Sequence, residues 1–362
     1  MLHTLCSNLH TEVSEMPFKV TDQFQEENQV VAVLSGGTEA QFVDLVRAKE
    51  IDLKRPIYLM VSGYSNSLAA ALEILSYIRQ RNGIAKIMQH PKDTVFPEVT
   101  ETASLTRTPL EKVLANATKQ RLGVIGMPSD WLIASGVDYK EVLKKMNCEL
   151  VDVPITEVSS LGEVDPGMPG AEAIYQRLKE IIAKHKLDAI TLRCFDLLST
   201  VKNTGCIALS KLNDEGIPAG CESDIPVLLT MMACKKLTGE PAFMVNPARI
   251  QPDGQMLLAH CTIPLKMTQS HEYTTHFESG IGVAIHGELE AGDYTLVKLS
   301  GDMKRLLAVN VTLTRCQYEN NLCRTQVWIQ STPIVSQYFL TDPIANHHLL
   351  IKGHHAAKFW RD

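Results

Sequence analysis

The segment Val30-Val-Ala-Val-Leu34-Ser-Gly-Gly37 shows the pattern from which the fold follows. Five apolar residues in a row, three of them β-branched valines, predict a short strand that is buried on both faces. Ser35 and the two glycines end this strand, and residues 38–49 then carry Phe42, Leu45 and Val46 at helical spacing. We interpret the segment as one β-α unit.

Strand and helix alternate in the same way as far as residue 221. The pattern predicts further strands of a first sheet at residues 56–61, 84–88 and 122–126, with a helix at 66–80. It then predicts a second series, with strands at 150–155, 188–194 and 217–221 and helices at 171–184 and 205–213. Apolar strands that alternate with helices require parallel sheets covered on both faces. We therefore predict two doubly wound α/β domains of the Rossmann or flavodoxin type, at residues 29–150 and 151–254.

The two ends of the chain have different patterns. Residues 295–299, 307–312 and 325–330 show short alternating stretches separated by clusters of Gly, Asp and Asn, which predicts a mostly antiparallel β domain at residues 255–362. Residues 1–28 lack periodicity. We interpret them as an N-terminal extension that could reach across a subunit boundary as an arm.

Composition excludes several classes of protein. The 362 residues are 45% hydrophobic and 21% charged, which is typical of a globular protein. A net charge of -6 without any basic run argues against a nucleic-acid partner. The longest apolar stretch, residues 225–234, has about ten residues where a membrane span needs roughly twenty. Nine cysteines without a C-x-x-C pair are typical of a reduced, cytoplasmic protein.

Polar segments follow three of the predicted strands in the first domain, at residues 35–39, 62–67 and 127–135. Ligands of open α/β sheets bind beyond the carboxyl ends of the strands, so these segments are candidates for binding a substrate. Helix capping by Thr38, by Ser65 or Asn66, and by Ser129 is the competing interpretation. The residues that we predict to bind substrate here are Glu39, Asn66, Ser129, Asp130 and Trp131.

Acidic residues follow two strands of the second domain. Asp196 comes after the strand at 188–194, and Glu222 and Asp224 come after the strand at 217–221. Carboxylates at neighbouring strand ends can hold a hard divalent cation or act as acid and base. Asp224 precedes Ile225-Pro226 and an apolar run, so an N-cap is an alternative role for it.

Histidines complete this candidate site. His260 follows an apolar strand, and His347 and His348 precede another. Because adjacent residues of a strand point to opposite faces, at most one of His347 and His348 can face the site. Carboxylates plus one imidazole would form a Mn²⁺ or Mg²⁺ site with open positions for substrate oxygens.

Several of these segments together resemble the family of L-fucose isomerase and related proteins. The resemblance covers roughly residues 30–355, and its most specific segment is Pro128-Ser-Asp-Trp-Leu-Ile-Ala-Ser135. The other segments are Ser35-Gly-Gly-Thr-Glu39, Asn66-Ser-Leu-Ala-Ala-Ala-Leu-Glu73, Cys221-Glu-Ser-Asp224 with the helix after it, Ala259-His-Cys-Thr-Ile-Pro264 and Thr275-His-Phe-Glu-Ser279. The resemblance implies two α/β domains, a β domain and a Mn²⁺-dependent interconversion of aldoses and ketoses.

The resemblance also implies a ligand set of two acidic residues and one histidine near the C-terminus. Glu222 or Asp224 matches the second acid, Asp196 is the best candidate for the first, and His347 is the best candidate for the histidine. Typical L-fucose isomerases are longer and carry an N-terminal domain that helps to build the sugar pocket of a neighbouring subunit. This chain therefore resembles a compact, divergent relative, and we expect a homo-oligomer.

We predict a metal-dependent isomerase of a free monosaccharide that works through an ene-diolate. Glu222 and Asp196 are the predicted metal-binding and catalytic carboxylates, and one of them would also shuttle the proton. His347 is the predicted third ligand, Asp224 the alternate ligand, and His260 a partner of the ligands or of a sugar hydroxyl. The alternatives are a sugar epimerase or aldolase, or a sugar-binding or regulatory protein without turnover.

Overall fold

The computed structural model describes residues 2–5, 28–89, 105–107 and 118–360. These residues form two parallel four-stranded sheets, a seven-stranded antiparallel sheet and a two-stranded antiparallel ribbon. The predicted fold class, with two parallel α/β units followed by an antiparallel β region, is confirmed. In the described part of the chain, no helix has both the length and the apolarity that crossing a membrane requires.

The first parallel sheet has its strands in chain order. They are Leu2–Leu5 (β1), Gln29–Val33 (β2), Ile57–Val61 (β3) and Ala85–Met88 (β4). The helices Glu39–Arg47 and Ser67–Gln80 follow β2 and β3. Eleven of the fourteen residues of Ser67–Gln80 are buried, because this helix packs against the first sheet on one side and against the antiparallel sheet on the other.

The second parallel sheet has the order β7-β6-β8-β9. Its strands are Gln120–Ile125 (β6), Cys148–Val153 (β7), Ala189–Leu192 (β8) and Ala219–Cys221 (β9). Its helices are Tyr139–Met146, Thr156–Ser159, Met168–His185, Asp196–Thr200, Cys206–Asp214 and Ile225–Thr238. The chain moves from β6 to β7 on one side and returns to β8 on the other, so a topological switch point lies between β6 and β8.

The antiparallel sheet closes on itself. Its order is β14-β17-β10-β11-β16-β15-β5, and β14 also pairs with β15, so six strands form a barrel and β5 adds to its outside. The strands are Thr106–Arg107 (β5), Ala242–Ile250 (β10), Gln255–His260 (β11), Gly292–Leu299 (β14), Leu306–Gln317 (β15), Thr325–Gln330 (β16) and His348–Lys352 (β17). The two-stranded ribbon consists of Thr268–Thr274 (β12) and Ala284–Leu289 (β13). This region also contains the helix Pro333–Thr341 and two short 3₁₀ turns, Leu265–Met267 and Ala356–Phe359.

Three segments pair differently from our prediction. The predicted strand at 122–126 belongs to the second sheet, because β6 pairs with β7 and β8 and not with the first sheet. Leu2–Leu5, expected in an extension, pairs with β2, and β10 joins the barrel although residues 242–250 fall within the predicted second domain. Residues 6–27, the rest of the predicted arm, lie outside the described residues. The domain limits themselves stay a prediction.

Glu73 connects the first parallel unit to the other two. Its side chain is completely buried in the helix Ser67–Gln80. One carboxylate oxygen accepts from the backbone N–H of Ala134 at 2.9 Å, and the other accepts from the Ser135 hydroxyl at 2.9 Å and the Asn346 N–H at 3.0 Å. A single carboxylate therefore satisfies donors from the loop after β6 and from the turn before β17.

Replacing Glu73 should destabilise the whole chain. Glu73→Ala leaves three donors without an acceptor, and each buried unsatisfied donor costs about 1–3 kcal/mol, so we expect the free energy of unfolding to fall by about 3 kcal/mol or more. Urea denaturation followed by circular dichroism measures this. The matched control is Glu50→Ala at an exposed position, which should change stability by less than about 0.5 kcal/mol. Equal loss in the two variants would contradict the connecting role of Glu73.

Candidate metal centre

Three side chains converge beyond the carboxyl end of β9. Glu222, His260 and His347 each offer one ligand atom, and these atoms all lie within 4.8 Å of one another. Glu222 Oε1 is 3.4 Å from His347 Nε2 and 3.9 Å from His260 Nε2. Among the described residues this is the cluster of acidic, histidine and cysteine side chains with the geometry to hold a metal ion. We call these three residues the metal centre.

The backbone at Glu222 is unusual. Glu222 and Ser223 have φ angles of 59° and 49°, in the left-handed region that side-chain-bearing residues seldom adopt. Two hydroxyls hold this turn: Ser129 donates to the Glu222 carbonyl, and Ser223 donates to the Ile125 carbonyl at 3.1 Å. Strained residues that the surrounding structure fixes in this way concentrate at functional sites.

Asp224 orients His347. Its Oδ2 lies 2.9 Å from His347 Nδ1, and Lys298 Nζ lies 3.5 Å from the same oxygen. Asp224 also accepts from the backbone N–H of Val227 at 2.8 Å as the N-cap of the helix Ile225–Thr238. His347 Nε2 is buried and faces Glu222 Oε1 at 3.4 Å, without a hydrogen-bond partner in the described part of the chain. Metal-binding histidines are commonly held by a carboxylate on the other ring nitrogen in this way.

His260 is oriented by a hydroxyl. Its Nδ1 lies 2.9 Å from Thr262 Oγ1, which turns Nε2 toward Glu222. The rings of His260 and His347 pack edge to face with centroids 5.7 Å apart. Both histidines come from the barrel, at the end of β11 and just before β17. The metal centre therefore forms where the barrel meets the second parallel sheet.

The charges of the metal centre are strongly coupled. Burial alone would raise the pKa of Glu222, but His347, His260 and the Trp131 N–H outweigh it and hold the pKa below its ordinary value. Burial would lower the pKa of His347, yet Glu222 and Asp224 raise it to about 10. Burial and the neighbouring His347 lower the pKa of His260 to about 4. At neutral pH the centre thus holds one imidazolium, one neutral imidazole and one carboxylate.

A cavity of about 480 Å³ opens beside Glu222. Trp131 lies in its wall and donates from Nε1 to Glu222 Oε2 at 2.9 Å, while Phe195 packs edge-on against the Trp131 ring. The lining comes from all three parts of the fold and consists of Ser35, Gly36, Gly37, Glu39, Ala40, Ser65, Asn66, Ala69, Asp130, Trp131, Leu132, Phe195, Glu222, Asn246, Phe277, Glu278 and Asn346. The volume is within the range of about 300–1,000 Å³ that is typical of small-molecule sites.

Most residues predicted from the sequence lie at this site. Glu222 and His347 meet in the metal centre, and His348 points to Tyr338 and away from the centre, as the alternation of a strand requires. Four of the predicted substrate-binding residues line the cavity, namely Glu39, Asn66, Asp130 and Trp131. Ser129 lies behind Glu222 and holds its carbonyl.

Three positions differ from the prediction. Asp196 is not brought to the metal centre: it begins the helix Asp196–Thr200, and its Oδ1 lies 3.1 Å from Arg193 Nε. Asp224 has the alternative role that its sequence suggested, as the N-cap of the helix Ile225–Thr238, and it contacts His347 and Lys298 rather than joining the cluster. His260, expected as a partner of the ligands, is itself one of the three converging side chains.

The sequence analysis missed two groups of functional residues. Glu278, Asn246 and Asn346 line the cavity, and Lys298 supports Asp224 from β14. Glu278 lies in the segment 275–279, which carries the family resemblance, so a signal for it was present. Asn246 and Lys298 lie inside strands whose apolar pattern suggests only a buried core position.

Comparison with named proteins gives partial matches. The sulfoquinovose isomerase of Priestia megaterium (strain ATCC 12872 / QMB1551) is 24% identical over 246 residues, which cover 59% of this chain and 55% of that protein. The sulfoquinovose isomerase of Alkalicoccus urumqiensis is 24% identical over 157 residues, 41% of this chain and 35% of that protein. No family model matches the chain. The chain is therefore similar, over about half or less of their length, to proteins named as sugar isomerases.

Removal of the Glu222 charge should abolish tight metal binding. We expect the wild-type chain to bind one Mn²⁺ and Glu222→Gln, which nearly preserves shape, to weaken that binding at least about a hundredfold, because the carboxylate is the sole anionic ligand. Isothermal titration calorimetry on metal-stripped protein measures this. The matched control is Asp196→Asn, which should bind Mn²⁺ like the wild type. A similar loss of Mn²⁺ affinity in both variants would indicate that Asp196 is also a metal ligand.

Metal affinity should depend on pH. With its pKa near 10, His347 carries a proton that Mn²⁺ must displace, whereas His260, with its pKa near 4, is already neutral. Raising the pH removes this competition, so we expect the apparent affinity to rise about tenfold per pH unit between about pH 6 and 8. The electron paramagnetic resonance signal of free Mn²⁺ reports the bound fraction at each pH. A flat profile would show that no proton leaves His347.

Proposed function

We propose that this chain is a metal-dependent isomerase that interconverts the aldose and ketose forms of a free monosaccharide, as a divergent relative of the L-fucose isomerase group. The observation that carries the proposal is a buried carboxylate and two imidazoles that converge on one wall of a cavity of small-molecule size. The partial similarity to sulfoquinovose isomerases supports the same reaction type. The particular sugar is not part of this proposal.

The donor set fits a divalent metal. His347 Nε2 is a buried nitrogen without a hydrogen-bond partner, which is the state that a metal ion would satisfy. Glu222, His260 and His347 would hold the ion and leave positions open for substrate oxygens. Two imidazoles beside one carboxylate favour Mn²⁺ over Mg²⁺, because Mg²⁺ prefers oxygen ligands. When bound, the ion would act as a Lewis acid that stabilises negative charge on the two substrate oxygens.

Glu222 is the residue that we propose moves the proton. Isomerisation transfers a proton between C1 and C2 of the sugar, and a carboxylate at the site can remove it from one carbon and return it to the other. Trp131 donates to Glu222 Oε2 and the two histidines face Oε1, so the carboxylate is held in one orientation at the cavity wall. Its lowered pKa keeps it ionised and ready to accept a proton at neutral pH.

The cavity offers the contacts that a sugar needs. Trp131 provides an aromatic ring for the apolar C–H face of a sugar, and Asn66 and Asn246 provide donors and acceptors for its hydroxyls. Asp224 and Lys298 act behind the site by orienting His347. A homo-oligomer and a cytoplasmic location remain predictions that rest on the resemblance and on the composition.

Turnover and metal dependence test the proposal together. Metal-stripped protein should form ketose from at least one sugar in a panel of pentoses, hexoses, 6-deoxyhexoses and sulfoquinovose only after Mn²⁺ is added, and chelator should stop it. In D₂O the product should carry deuterium at the carbon that receives the shuttled proton, as an ene-diolate requires. Glu222→Gln should lower kcat at least about a hundredfold, and Asp196→Asn should leave it within about twofold.

Two results would contradict the isomerase. Ketose formation that persists in chelator would exclude a metal-dependent reaction. Sugar binding without turnover of any sugar in the panel, in the presence of bound Mn²⁺, would favour a sugar-binding protein of the same fold. Calorimetry on the same samples separates that case from loss of the metal itself.

A further inference from the structure

The cavity beside Glu222 is acidic. Of its seventeen lining residues four carry carboxylates, namely Glu39, Asp130, Glu222 and Glu278, and none of the described lining residues is a lysine or an arginine. Asp130 pairs with Arg193, so Glu39 and Glu278 are the two carboxylates outside the metal centre that have no ion pair with a lysine or arginine among the described residues. A negatively charged group of a ligand would therefore be repelled by these carboxylates.

Arg193, which packs on the cavity residue Trp131, is already committed to other partners. Its guanidinium carbon lies 4.6 Å from the centre of the Trp131 ring. Its three nitrogens donate to Asp196 Oδ1 at 3.1 Å, to the Pro128 carbonyl at 3.2 Å and to Asp130 Oδ1 at 2.8 Å. These contacts pair the guanidinium with two carboxylates and orient it, and Arg193 is not among the residues that line the cavity.

Glu39 is a buried carboxyl group without a counterion among the residues that the structure describes. It begins the helix Glu39–Arg47, is only 4% exposed and lines the cavity. Its Oε2 is buried and has no hydrogen-bond partner. Burial is the main cause that raises the pKa of Glu39, to about 8, and the neighbouring Glu73, Glu222 and Glu278 act in the same direction. A buried carboxyl oxygen without a partner at a cavity wall can accept a hydrogen bond from a donor group of a bound ligand.

Glu278 is a second carboxylate in the same wall. Asn66 donates to its Oε1 at 2.6 Å. The backbone at Gly36 comes close to this pair, because a Cβ atom there would lie 3.0 Å from Asn66 Cβ and 3.7 Å from Glu278 Oε1. The glycine turn after β2 thus packs against the Asn66–Glu278 pair. Desolvation of its carboxylate raises the pKa of Glu278, and Glu222 acts in the same direction, while the nearby His276 acts against them.

We propose that this cavity selects its sugar by charge: it accepts an amino sugar, whose ammonium group pairs with Glu39 and Glu278, and it rejects a sugar that carries a sulfonate. An ammonium group supplies three N–H donors and the missing positive charge. A sulfonate placed beside Glu39 and Glu278 would meet carboxylates, and none of the described lining residues is a lysine or an arginine that could pair with it, which is unfavourable. This inference rests on the proposed function and names the substrate class of the same site.

Three glucose derivatives that differ only at C6 test the charge selection. They are 6-amino-6-deoxyglucose, glucose and sulfoquinovose, which carry an ammonium, a hydroxyl and a sulfonate at pH 7. We expect the Mn²⁺-loaded protein to bind the amino sugar at least about tenfold more tightly than sulfoquinovose, with glucose between them, and ketose formation to follow the same order. Sulfoquinovose binding as tight as that of the amino sugar, or no binding of any of the three, would overturn the proposal.

Variants of Glu39 and Glu278 test whether these two carboxylates cause the charge selection. Glu39→Gln should reduce the ratio of amino-sugar to sulfoquinovose affinity at least about threefold, since Gln keeps the shape but cannot ionise to pair with the ammonium group. Glu278→Gln is the second variant and covers the case in which Glu39→Gln does not fold. Glu50→Gln, at an exposed position outside the cavity, is the matched control and should leave the ratio unchanged. An unchanged ratio in both cavity variants would refute the role of Glu39 and Glu278.

The test separates this proposal from the isomerase itself. Absence of turnover for all three sugars and for the wider panel would refute the isomerase, whereas the order of binding affinities would still decide the charge selection. Turnover of sulfoquinovose in preference to the other two would refute the charge selection and leave the isomerase standing.

Discussion

The contact between His347 Nδ1 and Asp224 Oδ2 is the interaction on which the rest of the site depends. It joins the turn before β17 of the barrel to the first residue of the helix Ile225–Thr238, across 123 positions of sequence. Both side chains are fully buried, so the pair is stable only because Lys298 and the Val227 N–H satisfy the same carboxylate. This contact fixes one side of the His347 imidazole, and Glu222 attracts Nε2 on the other side. The orientation of His347 therefore depends in part on a charge that does not itself belong to the metal centre.

The site lies where three parts of the fold meet. The second parallel sheet supplies Glu222 at its carboxyl end, near the switch point between β6 and β8, where α/β sheets commonly bind ligands. The barrel supplies both imidazoles, and the first parallel unit supplies Glu39 and Asn66 for the cavity. Glu73 bridges the same three parts with one carboxylate. Stability and the geometry of the site thus depend on the same buried polar contacts.

The proposed reaction and the proposed choice of sugar rest on different residues. The metal centre, with Asp224 and Lys298 behind it, would carry the chemistry, whereas Glu39 and Glu278 in the cavity wall would select the charge of the ligand. Relatives named sulfoquinovose isomerase match only part of this chain, and at 24% identity a shared reaction type does not require a shared substrate. The acidic wall formed by Glu39, Asp130 and Glu278 is the physical ground for separating the two questions here.

The sequence by itself determined most of the local structure. Periodicity predicted the helix Ser67–Gln80, the strand Ala189–Leu192 and most other elements to within a few residues, because burial on a helix or strand leaves a repeat in the chain. It also pointed to Glu222 and His347. Only the tertiary structure decided that β6 belongs to the second sheet, that His260 joins the metal centre and that Asp196 does not. Strand pairing and the convergence of side chains depend on contacts between residues far apart in sequence. A local sequence pattern does not show which of these distant residues come into contact.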